Sequence, residues 1–361
     1  MNRLIIIGNG FDLSHGLKTS YEDFIANYLY LVINSIYLNR PFEDELINLI
    51  VKKGNYYQPL PNDRIKIHES IQAFIRILKG DTMFKLDFNS ILLKNTFEQI
   101  ENLNWVDFEI EYFNEVKNIL NRKENPNYSL LNELINLNKQ FDVLKNKLIE
   151  YLLKQESKYS NPFQLQRYGD LFTEPIEEKE ISLETVKTHN PNNILFLNFN
   201  YTNTVEGYIQ YCRDKKINTQ INYIHGKLND SENPIIFGFG DEYDQKYIEL
   251  EHMNNNKLFE HIKSFGYLKT DNYANLTRFV SAEKFQVHIY GHSCGLSDRT
   301  MFKEIFEHEN CISIKIFYHQ RPDGSNDFTD KCYDIYRHFT NKNMMRNKVV
   351  NEQYCMPMPQ L

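Results

Sequence analysis

Five short stretches of the 361-residue chain gather the groups that chemistry needs. They are Gly8-Asn9-Gly10-Phe11-Asp12, Asn198-Phe199-Asn200-Tyr201-Thr202, His225-Gly226, Gly238-Phe239-Gly240-Asp241, and Gly291-His292-Ser293-Cys294-Gly295 followed by Asp298. Each joins a glycine or asparagine turn to a side chain able to hydrogen-bond, carry charge or move a proton.

Glycines at 8 and 10 let backbone N–H groups approach a phosphate with no Cβ in the way. The pair lacks the third glycine of the dinucleotide fingerprint, and the helical pattern behind it starts only near Ser20. A tight turn needing positive φ therefore competes with phosphate binding, and Asp12 competes as a turn cap. Asn198, Asn200, Tyr201 and Thr202 offer amides and hydroxyls suited to gripping a sugar hydroxyl or orienting water, although Asx turns account for the same residues. His225, ahead of a glycine at the end of an expected strand, is placed to act as a base or to contact a ribose. A core histidine bonded to backbone is the competing reading.

Gly291-x-Ser293-x-Gly295 has the G-x-S-x-G form of a nucleophile elbow, between an expected strand and an expected helix over 298–308. A serine hydrolase using Ser293 is therefore an alternative, with His338 and one of Asp323, Asp327 or Asp330 as partners. Against it stand the short remaining chain and the absence of an early HGGG-type loop. His288 with His292, and His252 with His261, lack the H-E-x-x-H spacing or accompanying cysteines of a metal centre, so no metal is expected. Trp105-Val-Asp107-Phe-Glu109 sets carboxylates two apart, which is not one helical face, and reads as a packing anchor.

The elements that must position these residues follow from periodicity. Leu4-Ile-Ile-Ile7 is apolar without alternation, as in a strand buried on both faces. Thr19-Ser20-Tyr21-Glu22 fits a capping box, with Phe24, Tyr28, Leu31 and Val32 at helical spacing behind it. From 41 to 168 the pattern is helical, over Phe42–Val51, Ile65–Leu78, Phe88–Ile100, Val106–Leu120 and Leu130–Leu153. Strand signals return at Asn193–Phe199, Ile221–Ile224, Pro234–Phe237, Phe285–Tyr290 and Cys311–Phe317. The expectation is an α/β fold: a Rossmann-like, mostly parallel sheet with helices on both faces and a large helical insertion after the first strand–helix unit. Residues 1–40 and 169–345 would form the α/β domain, 41–168 the insertion, and 346–361, which show no periodicity, a tail. In such a sheet ligands bind at the carboxyl ends of strands, where all five stretches fall.

Composition narrows the classes. With 25 Phe and 24 Tyr the chain can fill a large core, which excludes disorder. A net charge of −7 has the wrong sign for a dedicated nucleic-acid surface. No run is long and apolar enough for a membrane span or signal peptide, so a cytoplasmic location is expected. The five scattered cysteines read as reduced thiols.

Together, Gly8-Asn-Gly-Phe-Asp12 with Thr19-Ser-Tyr21, Trp105-x-Asp107-x-Glu109, Asn198-Phe-Asn-Tyr-Thr202, His225-Gly226 and Gly291-His-Ser293 with Asp298 resemble the AbiH family of phage abortive-infection proteins, over nearly the whole chain. More distantly, the order of motifs is similar to that of sirtuin-like domains, including those that hydrolyse NAD in phage defence. Thr202 stands where their aspartate would be, and their zinc ribbon is missing. The likeness implies a nucleotide site with Asn200, His225 and Asp12 as catalytic residues. It would bind through Gly8, Asn9, Gly10, Phe11, Asn198, Tyr201, Thr202, Gly226, Gly238, Gly240, Asp241, Gly291, His292, Ser293 and Asp298. Asn200 would position water, His225 would act on the ribose side, and Asp12 or Asp241 would steady positive charge. NAD is then the expected substrate, with no separate cofactor. Expected partners are the nucleotide, a phage-derived trigger and further copies of the chain, with a non-catalytic nucleotide-sensing module as a further alternative.

Overall fold

The structure, a computed structural model, describes residues 1–37, 42–51, 84–101, 107–122, 130–159, 165–182, 184–185, 187–253 and 255–361. It divides into two compact units, one of Met1–Lys18, Leu152–Asn254 and His261–Leu361, the other of Thr19–Tyr151 and Asn255–Glu260.

The first unit is built on six parallel strands: β1 (Asn2–Ile7), β2 (Asn193–Asn198), β3 (Asn218–Tyr223), β4 (Phe285–Tyr290), β5 (Cys311–Tyr318) and β6 (Met356–Pro357). Their order is β3-β2-β1-β4-β5-β6, which is that of doubly wound nucleotide-binding sheets, with the reversal of direction between β1 and β4. The apolar run Leu4–Ile7 makes β1 central because both of its faces are covered. Leu4 and Ile6 pack with Leu195, Leu197, Val287 and Ile289 beneath the helices Asn272–Ala282, Arg299–Glu307 and Phe328–His338. Ile5 and Ile7 pack with Phe196, Tyr290 and Phe317 beneath Phe11, Tyr168, Phe172 and Tyr208. Fully burying such side chains stabilises by about 1.5–3 kcal/mol each, so this strand alone anchors the sheet.

Two sequence expectations for this unit change. Pro234–Phe237 is not a strand: a proline removes a ladder donor, and the segment instead folds back on His225, whose carbonyl accepts from Ile236 N at 2.8 Å. The residues after Arg346, aperiodic in sequence, are structured. β6 pairs with β5, Val350, Cys355 and Met358 are buried, and the Tyr168 hydroxyl donates to the Pro359 carbonyl at 2.7 Å. Three buried side chains dispersed over nine residues give no period to read.

In the second unit the helix Tyr21–Tyr37 is capped one position later than the sequence box suggests. Ser20 Oγ accepts from Asp23 N and donates to Asp23 Oδ2. The expected helix over Phe42–Val51 is replaced by strands. Phe42–Glu43, Ile47–Val51 and Phe84–Phe88 form a small antiparallel sheet. Asp44 Oδ1 accepts from both Leu46 N and Ile47 N, and this Asx turn reverses the chain where a helix would run on. Helices then follow at Ile91–Glu101, Phe108–Asn121 and Leu130–Glu156, the last continuing into the first unit's segment. Asp107 is the N-cap of the second of these, and Trp105 and the helix expected over 65–78 lie outside the described residues. Tyr112 stacks on Phe141 at 4.4 Å and donates to Asn138 Oδ1, tying the helices together. Among the described residues no helix is long and apolar enough to cross a membrane.

Candidate functional site

The loops after β1, β2, β3 and β4 meet at the carboxyl edge of the sheet, all within the first unit. After β1 the chain turns directly into a short helix, Asn9–Ser14, with Gly8 as its N-cap, earlier than the helix expected near Ser20. Neither Gly8 nor Gly10 has positive φ. Their role is close packing at the reversal point: a Cβ on Gly8 would lie 2.4 Å from His292 Cα, and one on Gly10 2.8 Å from Gly291 Cα. Gly8 N donates to the Tyr290 carbonyl and Gly10 N to the Gly291 carbonyl, at 3.0 and 2.8 Å. These are the N–H groups a phosphate would need. A phosphate contact at Gly8 or Gly10 therefore requires these bonds to open.

Asn198 and Asn200 knit the loop after β2 to that helix. Asn198 Oδ1 accepts from Asn200 N, its Nδ2 donates to the Thr202 carbonyl, and Asn200 Nδ2 donates to the Gly8 carbonyl at 3.0 Å. Thr202 Oγ1 donates to Asp12 Oδ2 at 2.6 Å, while Asp12 Oδ1, buried, has no hydrogen-bond partner among the described residues. Burial pushes the Asp12 carboxyl up to about 6, against the lowering effect of Thr202, Thr204 and Asn200. Such a group changes charge near neutrality, as a proton-handling residue must. Phe11 is core, packed edge-on to Tyr168 and Tyr208. Asn9 sits at the start of the short helix, and Tyr201, half-buried, donates to the Ile236 carbonyl.

The second gathering is around His225, which lies just beyond β3. Its Nε2 is 3.0 Å from Asp298 Oδ1 and 3.2 Å from the Tyr267 hydroxyl. Lys263 Nζ donates to the same carboxylate oxygen at 2.8 Å. All three charged or titratable residues are at least nine-tenths buried. Burial opposes ionisation of Asp298, but Lys263 and His225 outweigh it and hold its carboxyl far below the usual range. Burial and the Lys263 ammonium both push His225 down, against Asp298. The turn here depends on Gly226, whose φ of +87° brings it against the Pro234 carbonyl.

Phe199 joins the two gatherings: its ring packs edge-on against His225 at 5.0 Å and His292 at 4.3 Å. His292 Nδ1 accepts from Cys294 N, and burial pushes that imidazole down to about 3. Gly238 and Gly240 do not follow a strand; Phe239 forms a single parallel bridge with Ile262 instead. Their tightness is steric, since Cβ atoms would meet the His261 and Ser297 carbonyls at 2.0 and 2.8 Å. Asp241 accepts from Tyr243 N and pairs with Arg299 at 3.3 Å, and burial raises its carboxyl against those partners.

The G-x-S-x-G turn lacks the geometry of a nucleophile elbow. Ser293 is exposed, as an elbow serine would be, but the positive φ values fall on Gly291 and Cys294 and not on Ser293 itself. His338, the histidine that a Ser–Asp–His order needs, bonds through Nε2 to the Cys294 carbonyl at 2.7 Å. Among the described residues no group of three His, Cys, Asp or Glu side chains is arranged to hold a metal.

Sequence reasoning missed Lys263 and Tyr267. Both lie on the five-residue helix Lys263–Tyr267, in a stretch with no strand signal or recognised motif; a lysine between Ile262 and Ser264 reads as a surface charge.

A family model described as "Bacteriophage abortive infection AbiH" matches residues 4–320. No curated protein and no solved structure matches the chain.

Proposed function

Since the chain belongs to the AbiH family of bacteriophage abortive-infection proteins, we propose that it is an antiphage effector that binds NAD or a related nucleotide at the carboxyl edge of β3-β2-β1-β4 and hydrolyses the nicotinamide–ribose bond. The observation that carries the reading is the pair of buried titratable groups at this edge, Asp12 with an oxygen that lacks a partner among the described residues and His225 with its Asp298 contact, in loops that Asn200 ties to the Gly8 carbonyl and Phe199 packs against His225. A parallel sheet in this strand order receives nucleotides at that edge.

In this reaction the C1′–N bond breaks with its electron pair leaving on nicotinamide, and a water oxygen bonds to C1′. The water's proton passes to His225 and then to solvent, so the products are nicotinamide, ADP-ribose and one proton. Charge builds on the ribose as in an oxocarbenium ion, which asks for orientation and electrostatic support rather than a strong nucleophile. Asn200 orients the water through its amide, and ionised Asp12 steadies the cationic ring. Because His225 and Asp12 are both more than nine-tenths buried, substrate entry requires local opening around them, beginning for His225 with Lys263 and Tyr267, and a phage-derived trigger would act on that step.

The test is nicotinamide release from NAD by the full chain, with and without lysate from phage-infected cells. His225→Ala is expected to abolish release and Ser293→Ala to leave it unchanged. Wild-type turnover by His225→Ala overturns the assignment, and covalent labelling of Ser293 by a fluorophosphonate would turn the reading toward a serine hydrolase.

A further inference from the structure

Lys263 has no step in the reaction just described and Asp298 enters it only through its contact with His225, yet burying both charges is costly. An isolated ammonium or carboxylate loses several kcal/mol of hydration on burial, and pairing recovers this only when the geometry is good. Here the geometry is good: Lys263 Nζ to Asp298 Oδ1 is 2.8 Å, and the same oxygen takes His225 Nε2 at 3.0 Å. A carboxylate only accepts, so the imidazole proton sits on Nε2.

We infer that Lys263 and Asp298 are positioning residues for His225: the carboxylate fixes the imidazole as its Nε2–H form and the ammonium neutralises that carboxylate, leaving His225 Nδ1 as the accepting atom. The inference rests on the proposed reaction for its purpose, though not for its geometry. An Asp–His pair alone would favour the imidazolium, because an unneutralised carboxylate raises a neighbouring histidine's affinity for protons. The buried ammonium removes that bias. His225 then remains a proton acceptor at neutral and mildly acidic pH. The other groups packed around it do not undo this. Tyr267 presents a hydroxyl at 3.2 Å, Phe199 an apolar ring edge, and His292, which interacts electrostatically with His225, is itself held neutral by burial.

Histidine ring-nitrogen NMR on the full chain, with His225→Ala for assignment, tests this without reference to turnover. The wild type is expected to show His225 neutral and Nε2–H at pH 7. Lys263→Met is expected to raise its titration midpoint by about 1 to 3 pH units, the effect of leaving one carboxylate beside it unopposed. Lys263→Arg is expected to restore the wild-type midpoint. An Nδ1–H tautomer in the wild type, or an unchanged midpoint in Lys263→Met, overturns the inference. Should Lys263→Met fail to fold, the wild-type tautomer decides alone. NAD turnover by Lys263→Met is expected to fall at pH 6 and recover toward pH 8. If the wild type consumes no NAD, the proposed reaction fails while the tautomer measurement still judges the role of Lys263 and Asp298.

Discussion

Replacing Asp12 by asparagine should stabilise the protein, and should do so more as pH rises. In the folded chain burial holds the carboxyl at about 6 against an ordinary 3.8. The folded state therefore binds this proton more tightly than the unfolded chain does. Stability is fully present below about 3.8 and is lost as pH rises through 6. Once ionisation is complete the loss is about 3 kcal/mol, at about 1.4 kcal/mol per pH unit of difference. The amide introduced by Asp12→Asn would keep an oxygen to accept from Thr202 Oγ1, so the hydrogen bond at 2.6 Å has a successor and the charge is the main change. Urea denaturation at pH 5 and pH 7.5, followed by far-ultraviolet circular dichroism, measures the effect. The advantage of Asp12→Asn over the wild type should grow by roughly 1–1.5 kcal/mol between the two conditions. A difference that stays constant with pH would mean that Asp12 ionises as easily in the fold as in the open chain. It would then not be a proton-responsive group.

Gly8→Ala should destabilise by about 1–3 kcal/mol, because the new Cβ meets the His292 backbone at 2.4 Å, whereas Gly295→Ala, with only Ser293 Oγ at 3.6 Å, should fall within about 0.5 kcal/mol of wild type; paired thermal melts check both. Deleting residues 350–361 removes β6 and buried Val350, Cys355 and Met358 at about 1.5–3 kcal/mol per large apolar side chain, so soluble yield should collapse, and a monodisperse truncated protein on size exclusion would contradict the packing described.

Much of the central sheet is legible in the sequence, for a physical reason. Strands covered on both faces run apolar without a break, so Leu4–Ile7 and Ile194–Leu197 announce themselves without an alternating pattern, whereas Phe285–Tyr290 is read from Phe285, Val287 and Ile289 alternating with the buried Gln286 and His288. β6 does not, since two residues at a sheet edge carry no period. Phe42–Val51 misleads because short apolar runs fit either period, and one aspartate, Asp44, decides between them by capturing two backbone N–H groups. The carboxyl-edge residues are found because turns after strands are rich in glycine and asparagine. What those turns do is less visible. Gly8 and Gly10 look like a phosphate loop, yet they are glycines because the loop after β4 packs against them. Lys263 is hidden for the opposite reason: nothing in a sequence distinguishes a solvated lysine from one enclosed beside a carboxylate 35 residues away.

The position of β1 in the chain sets a condition on biosynthesis. Arg3 pairs with Ile194 on one side and Gln286 on the other, so this central strand leaves the ribosome about 190 residues before its first neighbour. At about 5–20 residues per second it waits roughly 10 to 40 seconds with its edges open. An exposed strand of that kind invites pairing between nascent chains. A chaperone holding Leu4–Ile7 during translation would keep those edges closed until Asn193–Asn198 has been made.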